Sequence, residues 1–72
     1  MAKIVLNSTP QPISDGTKKV YLTSRAGYFK IIQSQSAPDK TSWHFEQKFF
    51  ADSGKWWAWS DNGEIAADKS EW

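Results

Sequence analysis

Apolar and polar residues alternate along this chain in short stretches, and turn residues separate the stretches. Residues 18–24 (KKVYLTS) put Val20 and Leu22 on one side and Tyr21 and Thr23 on the other, the period of two that marks a half-buried strand. Residues 3–6 (KIVL) and 28–33 (YFKIIQ) are rich in β-formers. In residues 43–50 (WHFEQKFF), Trp43, Phe45 and Phe49 share one face, and His44, Glu46 and Lys48 share the other. A helix opened by Ser36 and Pro38 also fits, because Phe45 and Phe49 are four apart. Strand is preferred, since aromatic residues disfavour helix and no long amphipathic run is present. Residues 55–60 (KWWAWS) and 64–67 complete the set.

The punctuation between these runs is equally plain. Asp15-Gly16, Arg25-Ala26-Gly27 and Asp52-Ser53-Gly54 are turn signals, and residues 34–42 (SQSAPDKTS) read as a long polar loop. Asn62-Gly63 after an alternating run is a strong hairpin signal, predicting that 55–60 pairs with 64–67. The runs 18–24 and 28–33 read as a second hairpin. The expected fold is all-β: one small sandwich or barrel of five to six short antiparallel strands. Its body is residues 18–67. Residues 1–17 are expected to form an extended arm, because Pro10 and Pro12 favour a non-helical course. Residues 68–72 are expected to form a polar tail.

Composition narrows the class of function. The chain has 72 residues and no cysteine, so neither a disulfide framework nor a cysteine zinc site can reinforce a small core. Nine basic against eight acidic residues is too balanced for a dedicated nucleic-acid binder or a polybasic membrane arm. The opening residues lack the apolar stretch of a secretion signal, and no later stretch is long enough to span a bilayer. Synthesis in a cytoplasm, without membrane or specific nucleic-acid contact, is the expectation.

Candidate chemistry is sparse. His44 is the single histidine and sits on the polar side of its run, whereas a metal site needs several converging ligands. No nucleophile-elbow motif, phosphate-binding glycine loop or calcium-loop spacing is present. We therefore expect no catalytic residue, no metal and no cofactor. What stands out is aromatic content, at five Trp, four Phe and two Tyr. In a strand, Trp57 and Trp59 point to one side and Trp56 with Ala58 to the other. Two readings follow: both sides are packed as core, or one side is a platform for a protein neighbour or a sugar ring. Trp72 ends the polar tail and is expected to dock, on its own domain or on a neighbour. Trp56, Trp57, Trp59 and Trp72 are thus the candidate partner-binding residues.

Residues 20–67 resemble small structural proteins of tailed-bacteriophage virions. The resemblance is carried by Val20-Tyr21-Leu22, by Gly27 with Phe29-Lys30-Ile31, by Ser36-Ala37-Pro38 and by His44. Gly54-Lys55-Trp56-Trp57-Ala58-Trp59-Ser60 and Gly63-Glu64-Ile65-Ala66 complete it. It implies a non-enzymatic β-fold that decorates a capsid or forms a knob or fibre, with other copies of itself and larger virion proteins as partners. Lys55-Trp56-Trp57 also resembles the paired-Trp motif of chitin- and cellulose-binding modules. That resemblance implies the alternative, a carbohydrate-binding module stacking sugar rings on Trp57 and Trp59. The small-residue lead-in and the following proline of that motif are missing here.

Overall fold

A computed structural model describes residues 2–61 and 63–72. The protein is all-β. Its eight strands are β1 (Ala2–Leu6), β2 (Gln11–Ser14), β3 (Val20–Thr23), β4 (Phe29–Gln33), β5 (His44–Glu46), β6 (Lys48–Ala51), β7 (Trp56–Trp59) and β8 (Ile65–Glu71). They form two four-stranded antiparallel sheets, A in the order β1-β8-β3-β6 and B in the order β2-β7-β4-β5. The two orders match position by position. The pairs β1/β2, β8/β7, β3/β4 and β6/β5 each occupy the same place in both sheets. The molecule is therefore a single four-stranded antiparallel sheet, folded back on itself across a crease.

The crease falls at residues 7–10, 24–28, 47, 60–61 and 63–64, and hydrogen bonds hold neighbouring strands together through it. The Ser60 amide donates to the Asn7 carbonyl at 2.8 Å, and the Ser24 amide donates to the Gln47 carbonyl at 2.9 Å. The Ser24 hydroxyl donates to the Ala66 carbonyl at 2.9 Å, and the Ser60 hydroxyl to that of Gly63 at 2.8 Å. Both serines are buried, so a small side chain able to satisfy a bent backbone is what these positions require.

The core lies between the layers and is built from alternate positions of each strand. Leu6, Val20, Leu22 and Ala67 come from sheet A, and Ile13, Phe29, Ile31 and Ala58 from sheet B. Phe49 from β6 and Trp56 from β7 pack against this core and meet each other, ring centroids 4.7 Å apart. The molecule measures 29 × 26 × 15 Å, the thin dimension fitting two sheets stacked about 10 Å apart.

The crease changes several sequence expectations. The runs expected to form hairpins do not pair with each other: β3 and β4 lie in different sheets, as do β7 and β8. Gly63 does take the positive φ of a turn glycine, at +93°, while Asn62 lies outside the described residues. The reason is distance in the sheet. A connection that carries the chain across the crease has the turn residues of a hairpin without its pairing. The run 43–50 is strand rather than helix, but Gln47 breaks it into β5 and β6. The break turns the alternation over, so Phe45 faces outward from sheet B while Phe49 faces the core. Residues 1–17, expected as an arm, hold β1 and β2, each hydrogen-bonded at a sheet edge. Pro12 is accommodated there because an edge strand need not use every amide. Most of the expected tail, residues 68–72, is the end of β8.

Candidate functional site

The Trp run lies at an inner position of sheet B, between β2 and β4. Register with β4 pairs Ala58 with the core residue Ile31, so Trp56 and Ala58 face the core and Trp57 and Trp59 face outward. The alternation expected from the sequence is present. The outward side is nevertheless closed: Trp59 is 0% exposed and Trp57 9%. Each indole has a hydrogen-bond acceptor. Trp57 Nε1 donates to the Ser34 carbonyl at 3.0 Å, and Trp59 Nε1 to Asp61 Oδ2 at 3.2 Å. Trp56 Nε1 donates to the Ser53 carbonyl at 2.9 Å.

The loop of residues 34–43 is the cover. It leaves β4, reaches across sheet B and returns to β5 at the far edge. Lys40 marks its reach, with Nζ donating to the Ser8 carbonyl at 2.9 Å and to Asp61 Oδ1 at 3.0 Å. Lys30 Nζ takes the other oxygen of Asp61 at 2.9 Å and lies 4.4 Å from the centroid of the Trp43 ring. One carboxylate therefore holds two ammonium groups and an indole N–H. The hydrogen bonds from Lys30 and Lys40 keep the Asp61 carboxyl at a pKa of about 2, below its ordinary value. Two rings placed to stack sugar are thus the inner surface of a clipped loop.

An open aromatic surface lies on the opposite layer. Along the outer side of sheet A, Tyr21 pairs across β3 with Phe50 on β6 and with Ser70 on β8. Trp72 continues the same side of β8. Its amide donates to the Lys19 carbonyl and its carbonyl accepts from the Lys19 amide, both at 3.0 Å. The backbone of Trp72 is thereby docked on its own domain, as one of the two expectations had it. Its ring is not covered: it leans on Phe50, centroids 5.8 Å apart, and is 62% exposed. Phe50 is 49% exposed and Tyr21 38%. Together these rings leave roughly 300–400 Å² open, at ~200–250 Å² per aromatic residue. The largest patch on a typical monomer is about 300–600 Å² and is often functional.

A second exposed set of similar extent, Tyr28, Trp43 and Phe45, sits at the β5 edge of sheet B. Trp43 and Phe45 meet edge to face at 6.4 Å, and Tyr28 and Phe45 flank an open groove with Ile65. His44 is exposed on β5, paired in register with Ile31, and makes no ion pair among the described residues. Among the described residues no group of three or more His, Asp or Glu is placed to hold a metal ion.

Of the four Trp expected at a contact, then, Trp72 alone is open, Trp57 and Trp59 are covered, and Trp56 joins the sheets. Tyr21 and Phe50 were missed, although the alternation in 18–24 had already placed an aromatic ring opposite Val20 and Leu22. No protein-family model matches this sequence, and no curated protein or solved structure is significantly similar to it.

Proposed function

We propose that this chain is a non-enzymatic assembly module, a minor structural protein of a bacteriophage virion that attaches to capsid or tail neighbours through aromatic patches. The observation that carries the reading is the outer side of sheet A, where Tyr21, Phe50 and Trp72 stand open while the indoles of β7 are covered or packed between the sheets. Aromatic side chains at the centre of an interface are where truncation costs most. A second exposed set at the β5 edge gives the molecule two contact regions, as a subunit between neighbours requires. The virion setting comes from the resemblance of residues 20–67. It implies synthesis in the host cytoplasm followed by incorporation into particles.

Co-sedimentation with phage particles tests the reading. The wild-type chain is expected in the particle fraction, and Phe50→Ala with Trp72→Ala is expected in the supernatant while still folded. Retention on a polysaccharide column instead, lost in the same double variant, would favour the carbohydrate-binding alternative. The sugar would then stack on these rings and not on Trp57 and Trp59.

A further inference from the structure

Each four-stranded layer has two edge strands, and three of these four edges are blunted. On β1, the Val5 carbonyl accepts from Gln11 Nε2 at 2.7 Å. On β2, Pro12 has no amide and the register shifts between Pro12 and Ser14. β5 is three residues long, with His44 and Glu46 on its core-facing side opposite Ile31 and Phe29. Such features keep an edge strand from pairing with another chain. β6 has no proline and no register shift, and among the described residues no side chain caps its amides. Which of those amides are free follows from the ladder. The Ser24 amide donates to the Gln47 carbonyl, one step beyond the pair of Thr23 and Lys48. Bonded and unbonded pairs alternate in an antiparallel ladder, so Leu22 with Phe49 and Val20 with Ala51 are bonded too. The N–H and C=O groups of Lys48 and Phe50 therefore point away from β3, into the open edge.

This edge is complementary to itself in sequence. Residues 48–52 read Lys-Phe-Phe-Ala-Asp. Asp52 follows β6 and keeps its register, its carboxylate 4.0 Å from the Lys19 ammonium. Lys48, Phe50 and Asp52 stand on the outer side, and Phe49 and Ala51 on the core side. A two-fold axis through Phe50, perpendicular to the sheet, lays β6 antiparallel to its copy. Lys48 then faces the second copy's Asp52, Phe49 faces its Ala51, and Phe50 faces its Phe50. Cation meets anion twice, large meets small twice, and ring meets ring once. Parity agrees, because the outward amides of Lys48 and Phe50 fall at bonded positions of that register. A register centred on Lys48 opposes two ammonium groups. One centred on Phe49 opposes two bulky core-side rings and leaves Asp52 without its cation.

We infer that β6 pairs with β6 of a second copy about a two-fold axis at Phe50, joining two A sheets into one of eight strands. A closed two-fold contact requires one surface to carry each feature and its complement at equal distances from the axis. Lys48 and Asp52 do so at two residues from Phe50, and Phe49 and Ala51 at one. The unpaired amides call for an extended strand as the occupant, since only a strand meets such a row group by group. The inference rests on the assembly reading above and deepens it. It brings the Tyr21, Phe50 and Trp72 rings of both copies onto one outer surface, which stays open to the larger neighbour.

Sedimentation equilibrium of the full-length chain tests the pairing, and charge reversal tests its register. The expected species is a dimer, twice the 8.2 kDa of the chain. Lys48→Asp and Asp52→Lys each set like charges opposite one another twice, and each is expected to weaken the dimer about tenfold. Combined, they are expected to restore it, because the signs are exchanged and stay opposite. Both positions are exposed, and circular dichroism melts confirm that each variant is folded. The chain has no cysteine, so a single introduced thiol reports its own neighbour. Phe50→Cys is expected to cross-link to its copy on mild oxidation, with paired Cα atoms about 5.5 Å apart. Tyr21→Cys, one strand further in, is expected not to. A monomer at hundreds of micromolar overturns the inference. So does a dimer that ignores both single reversals, one that the combined reversal fails to restore, or one cross-linked through Tyr21→Cys. Particle binding is scored separately. A monomer that particles retain ends the dimer and keeps the assembly reading, whereas a dimer that particles ignore does the reverse.

Discussion

Asp61 and the two buried crease serines do more than their exposure and size suggest. The Asp61 carboxylate is lowered from 3.8 to about 2, chiefly by the Lys30 hydrogen bond and then by that of Lys40. A depressed carboxyl contributes stability above its unfolded pKa and loses that contribution as pH falls through its folded one. The loop over Trp57 and Trp59 should accordingly be clipped at neutral pH and loosen between pH 4 and 2. Tryptophan quenching by acrylamide should rise over that range in the wild type. Asp61→Asn should show the raised quenching already at pH 7 and no step below it. Ser24→Ala and Ser60→Ala should each cost about 1 kcal/mol in denaturant unfolding, because each removes a buried hydrogen bond at the crease. Gly63→Ala should cost a comparable ~1–2 kcal/mol from backbone conformation alone. Its φ is +93° and an added Cβ meets no atom within 4 Å.

Elements were legible in the sequence where a strand's own alternation decides its faces, and illegible where a partner decides them. Val20 and Leu22 could be read as one buried face because the period of two is local. That β3 and β4 belong to different sheets could not, since Arg25-Ala26-Gly27 has the same turn chemistry whether the strands pair or part. The Gln47 break was hidden for a similar reason: nothing in WHFEQKFF marks where the chain changes layer. Closure of Trp57 and Trp59 depends on Lys40 reaching Asp61 and Ser8, 21 and 32 residues away, and a polar loop carries no local sign of such a reach. Trp59→Ala should therefore unfold the chain by roughly 3–5 kcal/mol, as for any fully buried large ring. Trp72→Ala should change monomer stability by about 0.5 kcal/mol or less. A reversed ranking in chemical denaturation would contradict the placement of both.

The whole molecule is a folded sheet in which six of the seven connections carry the chain from one layer to the other. Only β4 and β5 pair as sequence neighbours, and a ten-residue loop (residues 34–43) separates them. Contacts of such long sequence separation must close large loops before they stabilise anything. Folding should consequently take milliseconds to seconds, the range of β-rich topologies, despite the short chain. Microsecond refolding in a stopped-flow or temperature-jump experiment would be inconsistent with this topology. The same architecture explains why aromatic rings are divided as they are. Folding the sheet buries one side of each layer, the 34–43 loop covers the β7 rings of sheet B but not Trp43 and Phe45 at its β5 edge, and the outer side of sheet A is left open. The account's central claim is that this remaining side, and not the conspicuous Trp run, is the contact surface. Hydroxyl-radical footprinting of the dilute chain and of the assembled particle, read residue by residue, tests it most directly. Trp72 and Phe50 should be oxidised in the free chain and protected on assembly, with Trp57 and Trp59 protected in both. Protection that instead appears at Trp57 and Trp59 on assembly, with Trp72 and Phe50 unchanged, would contradict it.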